Sequence, residues 1–149
     1  MPRADWSEDD CPIARSLSVL GERWAMLIVR EAMQGCTRFT DFRDHLGIAP
    51  DILSARLSAL VAMGVFEAVD YREPGDRRRQ QYELTAAGRE LSTVLASLAH
   101  WGRAHLPMER DNGYRFVDSV TGQPVRAGLR RGDGRPADPA KVILARRTE

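Results

Sequence analysis

The feature that most constrains the fold is a β-hairpin with a basic tip that directly follows a predicted helix. Residues 65–71 and 80–84 alternate apolar and polar side chains, as two paired strands do. The connection contains Pro74, Gly75 and Asp76, which are typical of a tight turn. Three consecutive arginines follow that turn: Arg77, Arg78 and Arg79. This pattern predicts a basic β-arm beside a helical domain.

Proline and glycine residues divide the preceding stretch into four predicted helices. Proline suits the first turn of a helix and glycine suits its end, so these residues give the helix bounds. The predicted helices run from Pro12 to Gly21, over residues 23–34, up to Gly47 after a Thr40 cap, and from Pro50 to Met63. Cys11 is the predicted N-cap of the first helix.

The fourth helix has two distinct faces. Three leucines, at positions 53, 57 and 60, lie on one side. At 100° per residue, the opposite side carries Asp51, Ser54, Ala55 and Ser58. Two short helices joined by a tight turn, the second with small polar side chains outside, are typical of a helix-turn-helix. With the hairpin as its wing, the sequence predicts a winged helix-turn-helix.

A further helix follows the hairpin, from the Thr85 cap to about residue 105. It carries an apolar stripe at helix-pairing spacing, made of Leu91, Val94, Leu98 and Trp101. A winged domain of this size offers the stripe no partner. The stripe therefore predicts a homodimer.

The fold class expected is α+β, mainly α, with a small β extension after the helices. We divide the 149 residues into an N-terminal arm, 1–10, a DNA-binding and dimerisation domain, 11–106, and an extension, 107–149. Within the extension, residues 114–118, 123–129 and 142–144 are predicted as short strands, and 130–138 as a loop.

Charge and hydropathy exclude several classes of protein. A net charge of +1 argues against non-specific coating of nucleic acid, but allows a dimer with one basic face. No apolar run approaches the ~20 residues of a membrane span, and the acidic N-terminus does not resemble a signal peptide. Two cysteines make no disulfide framework. We expect a cytoplasmic protein without a membrane partner.

Several short motifs, in order, resemble the HxlR family of bacterial regulators, which is related to the MarR regulators. The motifs are Cys11-Pro12-Ile13, Gly21-Glu22-Arg23-Trp24, Arg38-Phe39, Leu53-Ser54-Ala55-Arg56-Leu57, Gly64-Val65 and Tyr82-Glu83-Leu84-Thr85. The resemblance covers roughly residues 11–102. It implies a winged-helix dimer joined through its first and last helices, with Ile13 and Leu17 at the interface, on an imperfect palindrome. Ala49 and Asp51 depart from the serine and basic residue common there.

The expected DNA contacts fall in three places. The arginines of the wing contact phosphate or the minor groove, or else form a solvated loop. Arg38 contacts the DNA backbone or pairs with Asp41. The outer face of the fourth helix supplies the remaining contacts, from Pro50, Asp51, Ser54, Ala55 and Ser58, whereas Arg56 lies nearer the core.

Cys11 supports a second functional hypothesis, in which its thiol senses oxidants or electrophiles. A helix N-terminus stabilises a thiolate, although Asp9 and Asp10 oppose it, and several members of the family sense oxidants or electrophiles at this place. Cys11 is therefore either a redox sensor or an unreactive capping residue, and Cys36 is structural.

Four aromatic residues belong either to the core or to the wall of an effector pocket: Trp24, Trp101, Tyr114 and Phe116.

The functions considered belong to three classes. The first is a sequence-specific regulator, most simply a repressor that blocks polymerase. The second is a redox or small-molecule sensor whose output is DNA binding. The third is a winged helix used for protein contacts alone, and such a module does not need three arginines.

The sequence contains no phosphate loop, nucleophile elbow or paired carboxylates, and His45, His100 and His105 are poorly placed for a metal. We expect no enzyme activity, cofactor or metal.

Overall fold

The computed structural model describes residues 6–146, which are mainly helical with one small sheet. Four helices come first: α1 Pro12–Leu20, α2 Arg23–Met33, α3 Phe39–Leu46 and α4 Pro50–Ala62. Two antiparallel strands and two helices follow: β1 Phe66–Tyr71, β2 Arg79–Leu84, α5 Ala86–Glu90 and α6 Ser92–His105. This is the predicted winged helix-turn-helix. Within the described residues, no helix is long and apolar enough to cross a membrane.

The turn between α3 and α4 has the residues that it requires. Gly47 adopts a left-handed conformation with φ of 61°, and its N–H donates to the Arg43 carbonyl at 2.9 Å. The predicted cap at Thr40 is wrong, because α3 already begins at Phe39. Arg38 is the N-cap there, and an isolated antiparallel bridge to Gln81 of β2 holds its backbone extended.

The core lies between α2, α4 and the sheet. Its largest fully buried side chains are Phe42, Phe66, Ile28, Leu53, Leu57, Leu60 and Val29. Phe42 and Phe66 meet edge to face, with ring centroids 6.2 Å apart. This contact fixes α3 against the first residue of β1, so the helix-turn-helix and the hairpin share one core.

The base of the hairpin is closed by Thr85. β1 and β2 pair from Phe66 opposite Leu84 to Tyr71 opposite Arg79. The Thr85 N–H donates to the Val65 carbonyl at 3.1 Å, and its hydroxyl donates to the Gly64 carbonyl. The same hydroxyl accepts from the Gly88 N–H at 3.0 Å, which confirms Thr85 as the cap of α5. Thus one side chain joins both ends of the hairpin to the next helix.

The predicted last helix is interrupted at Leu91. There the backbone N–H bonds to the Gly88 carbonyl, three residues back, and this tighter turn separates α5 from α6. The chain divides into two compact units, Met1–Ser92 and Thr93–Glu149. The break precedes this division, so α6 belongs almost entirely to the second unit.

The extension, residues 107–149, has no buried residue in its described part, residues 107–146. The three predicted strands do not form a sheet: two isolated bridges join Val117 to Pro124 and Arg130 to Pro136. Strand pairing is limited because no face of this segment is covered by a core. Its beginning is held by Asp111, whose carboxylate accepts from Gly113 N–H and from Arg115 and Arg103. These bonds, led by that from Gly113, hold the pKa of Asp111 well below its usual range.

Candidate nucleic-acid interface

The structure gives α4 the two faces that its periodicity predicts. Its three leucines are fully buried, whereas Asp51, Ser54, Ala55 and Ser58 are exposed. Arg56 is half-buried beside Glu22, at 3.9 Å between their charged groups. The four predicted contact residues are therefore exposed, with Ile52, 39% exposed, in the same helix, while the opposite face anchors the helix in the core.

The N-terminus of α4 is also exposed. Pro50 is the first helical residue, and Asp51 lies in the first turn, where a carboxylate is favoured by the helix dipole. Ile48, in the turn before it, is buried. The turn is thus fixed by an apolar anchor, and the polar start of the helix faces solvent.

The tip of the wing, residues 72–78, contains a tight turn over residues 73–76. The Asp76 N–H donates to the Glu73 carbonyl at 3.0 Å, and Gly75 between them has φ of 82°. Proline followed by a glycine of positive φ is typical of a type II turn. The three arginines beyond it are all exposed: Arg77, Arg78 and Arg79.

Arg38 contacts the wing instead of its own helix. Its guanidinium lies 2.6 Å from the Glu73 carboxylate and 4.6 Å from the centre of the Tyr71 ring. The alternative of a local salt bridge with Asp41 is therefore wrong. The hydrogen bond to Glu73 is the main reason why the pKa of Arg38 is raised, and Asp41 contributes least. Arg38 and Glu73 are 35 positions apart, a separation that periodicity cannot detect.

Glu31 is a buried carboxylate that the sequence did not single out. It accepts from Arg30 at 2.8 Å and lies 3.2 Å from Nδ1 of His45. His45 belongs to α3, so this pair connects α2 to the first helix of the helix-turn-helix. The sequence feature that could have identified Glu31 is a charged residue within the broad apolar face of α2.

Helices α1 and α6 each expose at least two large apolar side chains. On α1, Ile13 is 57% exposed and Leu17 48%. On α6, Val94, Leu98 and Trp101 are 45%, 55% and 56% exposed. Leu91 differs from the rest of the predicted stripe, because it is half-buried at the break before α6. Exposed apolar residues on this scale suit a protein contact.

The two cysteines lie in contrasting environments. Cys11 is exposed at the N-cap of α1, and its backbone N–H donates to the Asp9 carboxylate at 2.7 Å. Cys36 is buried, and burial, with smaller contributions from the charges of Asp41 and Glu31, raises its pKa to about 12. The Cys36 thiol is therefore protonated at neutral pH.

The first unit also contains a small cleft of about 190 Å³. Its walls are Ala32, Cys36, Thr37, Tyr82, Glu83, Leu84 and Arg89. None of the aromatic residues predicted for an effector pocket lines it. Among residues 6–146, no cluster of three or more His, Cys, Asp or Glu could hold a metal ion.

Comparison with known proteins agrees with this geometry. Rv3095 of Mycobacterium tuberculosis, named as an uncharacterized HTH-type transcriptional regulator, is 43% identical over 95 residues. The match covers 64% of this chain and 59% of Rv3095, so it spans less than two thirds of that relative. The solved structure of PA1607 superposes with a TM-score of 0.81 at 39% identity, covering 97% of this chain and all of that one.

The redox regulator HypR, solved in its reduced form, superposes with a TM-score of 0.56 at 26% identity. The superposition covers 63% of this chain and 92% of HypR. A family model described as HxlR-like helix-turn-helix matches residues 19–110, which include α2 to α6 and the wing. The chain therefore belongs to the HxlR-like helix-turn-helix family.

Proposed function

We propose that the chain is a transcriptional regulator that binds double-stranded DNA, with α4 in the major groove and the wing on the neighbouring backbone. The observation that carries this proposal is the exposed face of α4. Its small side chains allow the helix backbone to approach base edges closely, while the buried leucines hold the helix in place. Membership of a helix-turn-helix family supports the same function.

Each part of the interface has a distinct role in this proposal. The Ser54 hydroxyl can hydrogen-bond to a base edge, and the Ala55 methyl suits contact with a thymine methyl. Arg77, Arg78 and Arg79 bind phosphate or enter the minor groove, which provides affinity for any sequence. No catalytic group or cofactor takes part.

We further propose that the protein is a homodimer joined through α1 and α6. The exposed side chains of Ile13, Leu17, Leu98 and Trp101 would then be buried against a second copy. Two copies of α4 would read an imperfect palindrome whose half-sites lie ~34 Å apart. Repression by blocking polymerase is the simplest result of occupying such a site in the cytoplasm.

Alanine at all three wing arginines is expected to weaken binding to every DNA sequence alike. Each phosphate that the wing no longer neutralises lowers the slope of log K against log salt by ~0.9, so the slope becomes shallower. Fluorescence anisotropy with cognate and random duplexes, at salt concentrations from about 50 to about 200 mM, measures both quantities.

The matched control removes three arginines from the extension, Arg110, Arg126 and Arg131, which are also exposed. This control has the same net charge as the wing variant. An equal loss of slope in both variants would assign the effect to overall charge. An unchanged slope in the wing variant would make its arginines a solvated loop.

A second candidate function is redox or electrophile sensing at Cys11. The contrast between an exposed and a buried cysteine favours it, as does similarity to a redox regulator. An adduct on Cys11 would disturb the start of α1, next to Ile13 of the proposed interface. The distance between the two copies of α4 would change, and binding to the palindrome would weaken.

Thiol labelling is expected to modify Cys11 long before Cys36. Burial raises the pKa of Cys36 to about 12, so its thiol stays protonated at pH 7, and the thiolate is the reactive form. Mass spectrometry after timed reaction with iodoacetamide measures both sites. Cys11→Ser should abolish rapid labelling, and Cys36→Ser should leave it intact.

The sensing function needs a further result. A quinone or mild oxidant should weaken operator binding by the wild type and leave Cys11→Ser unaffected. Equal labelling of the two thiols would contradict the structural contrast. Oxidant-insensitive binding by the wild type would make Cys11 a capping residue only.

A further inference from the structure

The arginines at the tip of the wing are paired with acidic residues of the wing itself. Arg78 lies 2.6 Å from the Asp70 carboxylate, and Arg79 lies 3.4 Å from that of Asp76. Among residues 6–146, no acidic side chain forms an ion pair with Arg77. Of the three consecutive arginines, Arg77 alone is therefore uncompensated, and Arg72, before the turn, donates to the Asp76 backbone carbonyl at 3.2 Å instead of to a carboxylate.

Glu73 compensates a fourth arginine, from outside the wing. Its carboxylate lies 2.6 Å from Arg38, which also stacks on Tyr71. Arg38 precedes the first helix of the helix-turn-helix, where the sequence predicts a contact with the DNA backbone. A carboxylate is a planar anion that accepts hydrogen bonds from a guanidinium much as phosphate does. Glu73 thus occupies the place on Arg38 that a DNA phosphate would take.

We infer that Glu73 and Asp70 act as intramolecular substitutes for DNA phosphate, which limit the affinity of the wing for DNA of any sequence. This inference rests on the proposed DNA-binding function. When DNA binds, each carboxylate must leave its arginine before a phosphate can replace it. The exchange offsets part of the electrostatic gain, whereas Arg77 binds phosphate without such a cost.

The charge pattern has a measurable consequence for the salt slope. A guanidinium that is already paired with a carboxylate adds little to the net positive charge of the wing. The number of counterions that the DNA releases on binding depends on that charge. For the wild type, the slope of log K against log salt should therefore be shallower than the number of arginines in the wing predicts. Removing one carboxylate should allow one arginine to neutralise a phosphate fully and so steepen the slope.

The test compares Glu73→Gln with Glu67→Gln. Both substitutions remove one negative charge from the same hairpin, but Glu67 is an exposed β1 residue with no arginine partner in the described part of the chain. With a random duplex of about two DNA turns, Glu73→Gln should tighten binding by about threefold to tenfold for a dimer, as expected for two exposed ion pairs. Its salt slope should steepen by ~0.9 per arginine released, whereas Glu67→Gln should change affinity by less than about twofold. Asp70→Asn should behave like Glu73→Gln.

A second comparison ranks the arginines themselves. Arg77→Ala should weaken binding to the random duplex more than Arg79→Ala does, since only Arg79 already has an acidic partner. Equal affinities for the two glutamine variants, or weaker binding by Glu73→Gln, would overturn the inference while leaving DNA binding intact. If the wild type showed no salt-dependent binding to any duplex, the proposed function would fail and this inference with it.

Discussion

Replacing Leu98 with glutamate is expected to convert the proposed dimer to monomers and to abolish tight binding to the proposed palindromic operator. Leu98 is 55% exposed at the centre of the α6 stripe, between Val94 and Trp101. In the proposed dimer a glutamate there would be a buried, unpaired charge, which costs several kcal/mol. A monomer also loses the gain from linking two half-sites, which is about 10² to 10⁴ in affinity. Sedimentation velocity at micromolar concentration and anisotropy with the operator measure the two effects.

Ser97→Glu is the matched control for this change. Ser97 is the preceding residue of α6, it is exposed, and its hydroxyl only bonds to the Thr93 carbonyl within the same helix. The control should remain dimeric and bind DNA normally. A stable wild-type monomer, or a Leu98→Glu variant that still dimerises, would refute the interface on α6.

Phe42→Ala is expected to have the largest effect on the stability of the winged domain. The side chain is completely buried and packs edge to face on Phe66. Truncation of a buried phenylalanine costs about 3–5 kcal/mol, because apolar burial is reduced and a cavity remains. Urea denaturation followed by circular dichroism measures the free energy of unfolding.

Phe42→Leu serves as the comparison, because leucine fills much of the same space. It should cost clearly less than alanine and leave operator affinity unchanged at low temperature. If alanine and leucine destabilised the domain equally, the loss would come from the aromatic interaction with Phe66 and not from a cavity. If neither did, Phe42 would not belong to the core.

Much of the fold could be predicted because local chemistry fixes the ends of its elements. Pro12 and Pro50 begin helices in the structure as they do in the sequence pattern, and Gly47 ends one with a positive φ. The hairpin was recognisable from alternation and from Pro74-Gly75. In each case, a few neighbouring residues determine the backbone, so no distant partner has to be known.

Elements that depend on distant partners were predicted less well. The start of α3 is set by the pairing of Arg38 with Gln81, 43 positions away, and Thr40 is not the cap. The break at Leu91 could not be predicted, because no proline or glycine stands at that position. The extension contains alternating apolar residues, but alternation produces a sheet only where one face is covered.

One part of the candidate site could likewise be predicted from the sequence, and another part could not. The exposed face of α4 follows from helical periodicity alone, and the structure places Ser54 and Ala55 on it. The ion pairs of the wing do not follow from periodicity, because an arginine has several acidic residues within reach in sequence. Only the hairpin register and the turn brought Glu73 to Arg38, and so only the structure could show that pairing.

The closed base of the wing decides where the hairpin can bend. Thr85 joins the Gly64 and Val65 carbonyls to the next helix, so the root of the hairpin is mechanically stiff. The tip lacks strand pairing and has one backbone bond across its turn, from Asp76 to Glu73. A load from a curved or narrowed groove would therefore deform the tip, and little of the strain would travel to α4. In the proposed complex, the wing would adjust to local DNA shape while the angle at which α4 is presented stays constant.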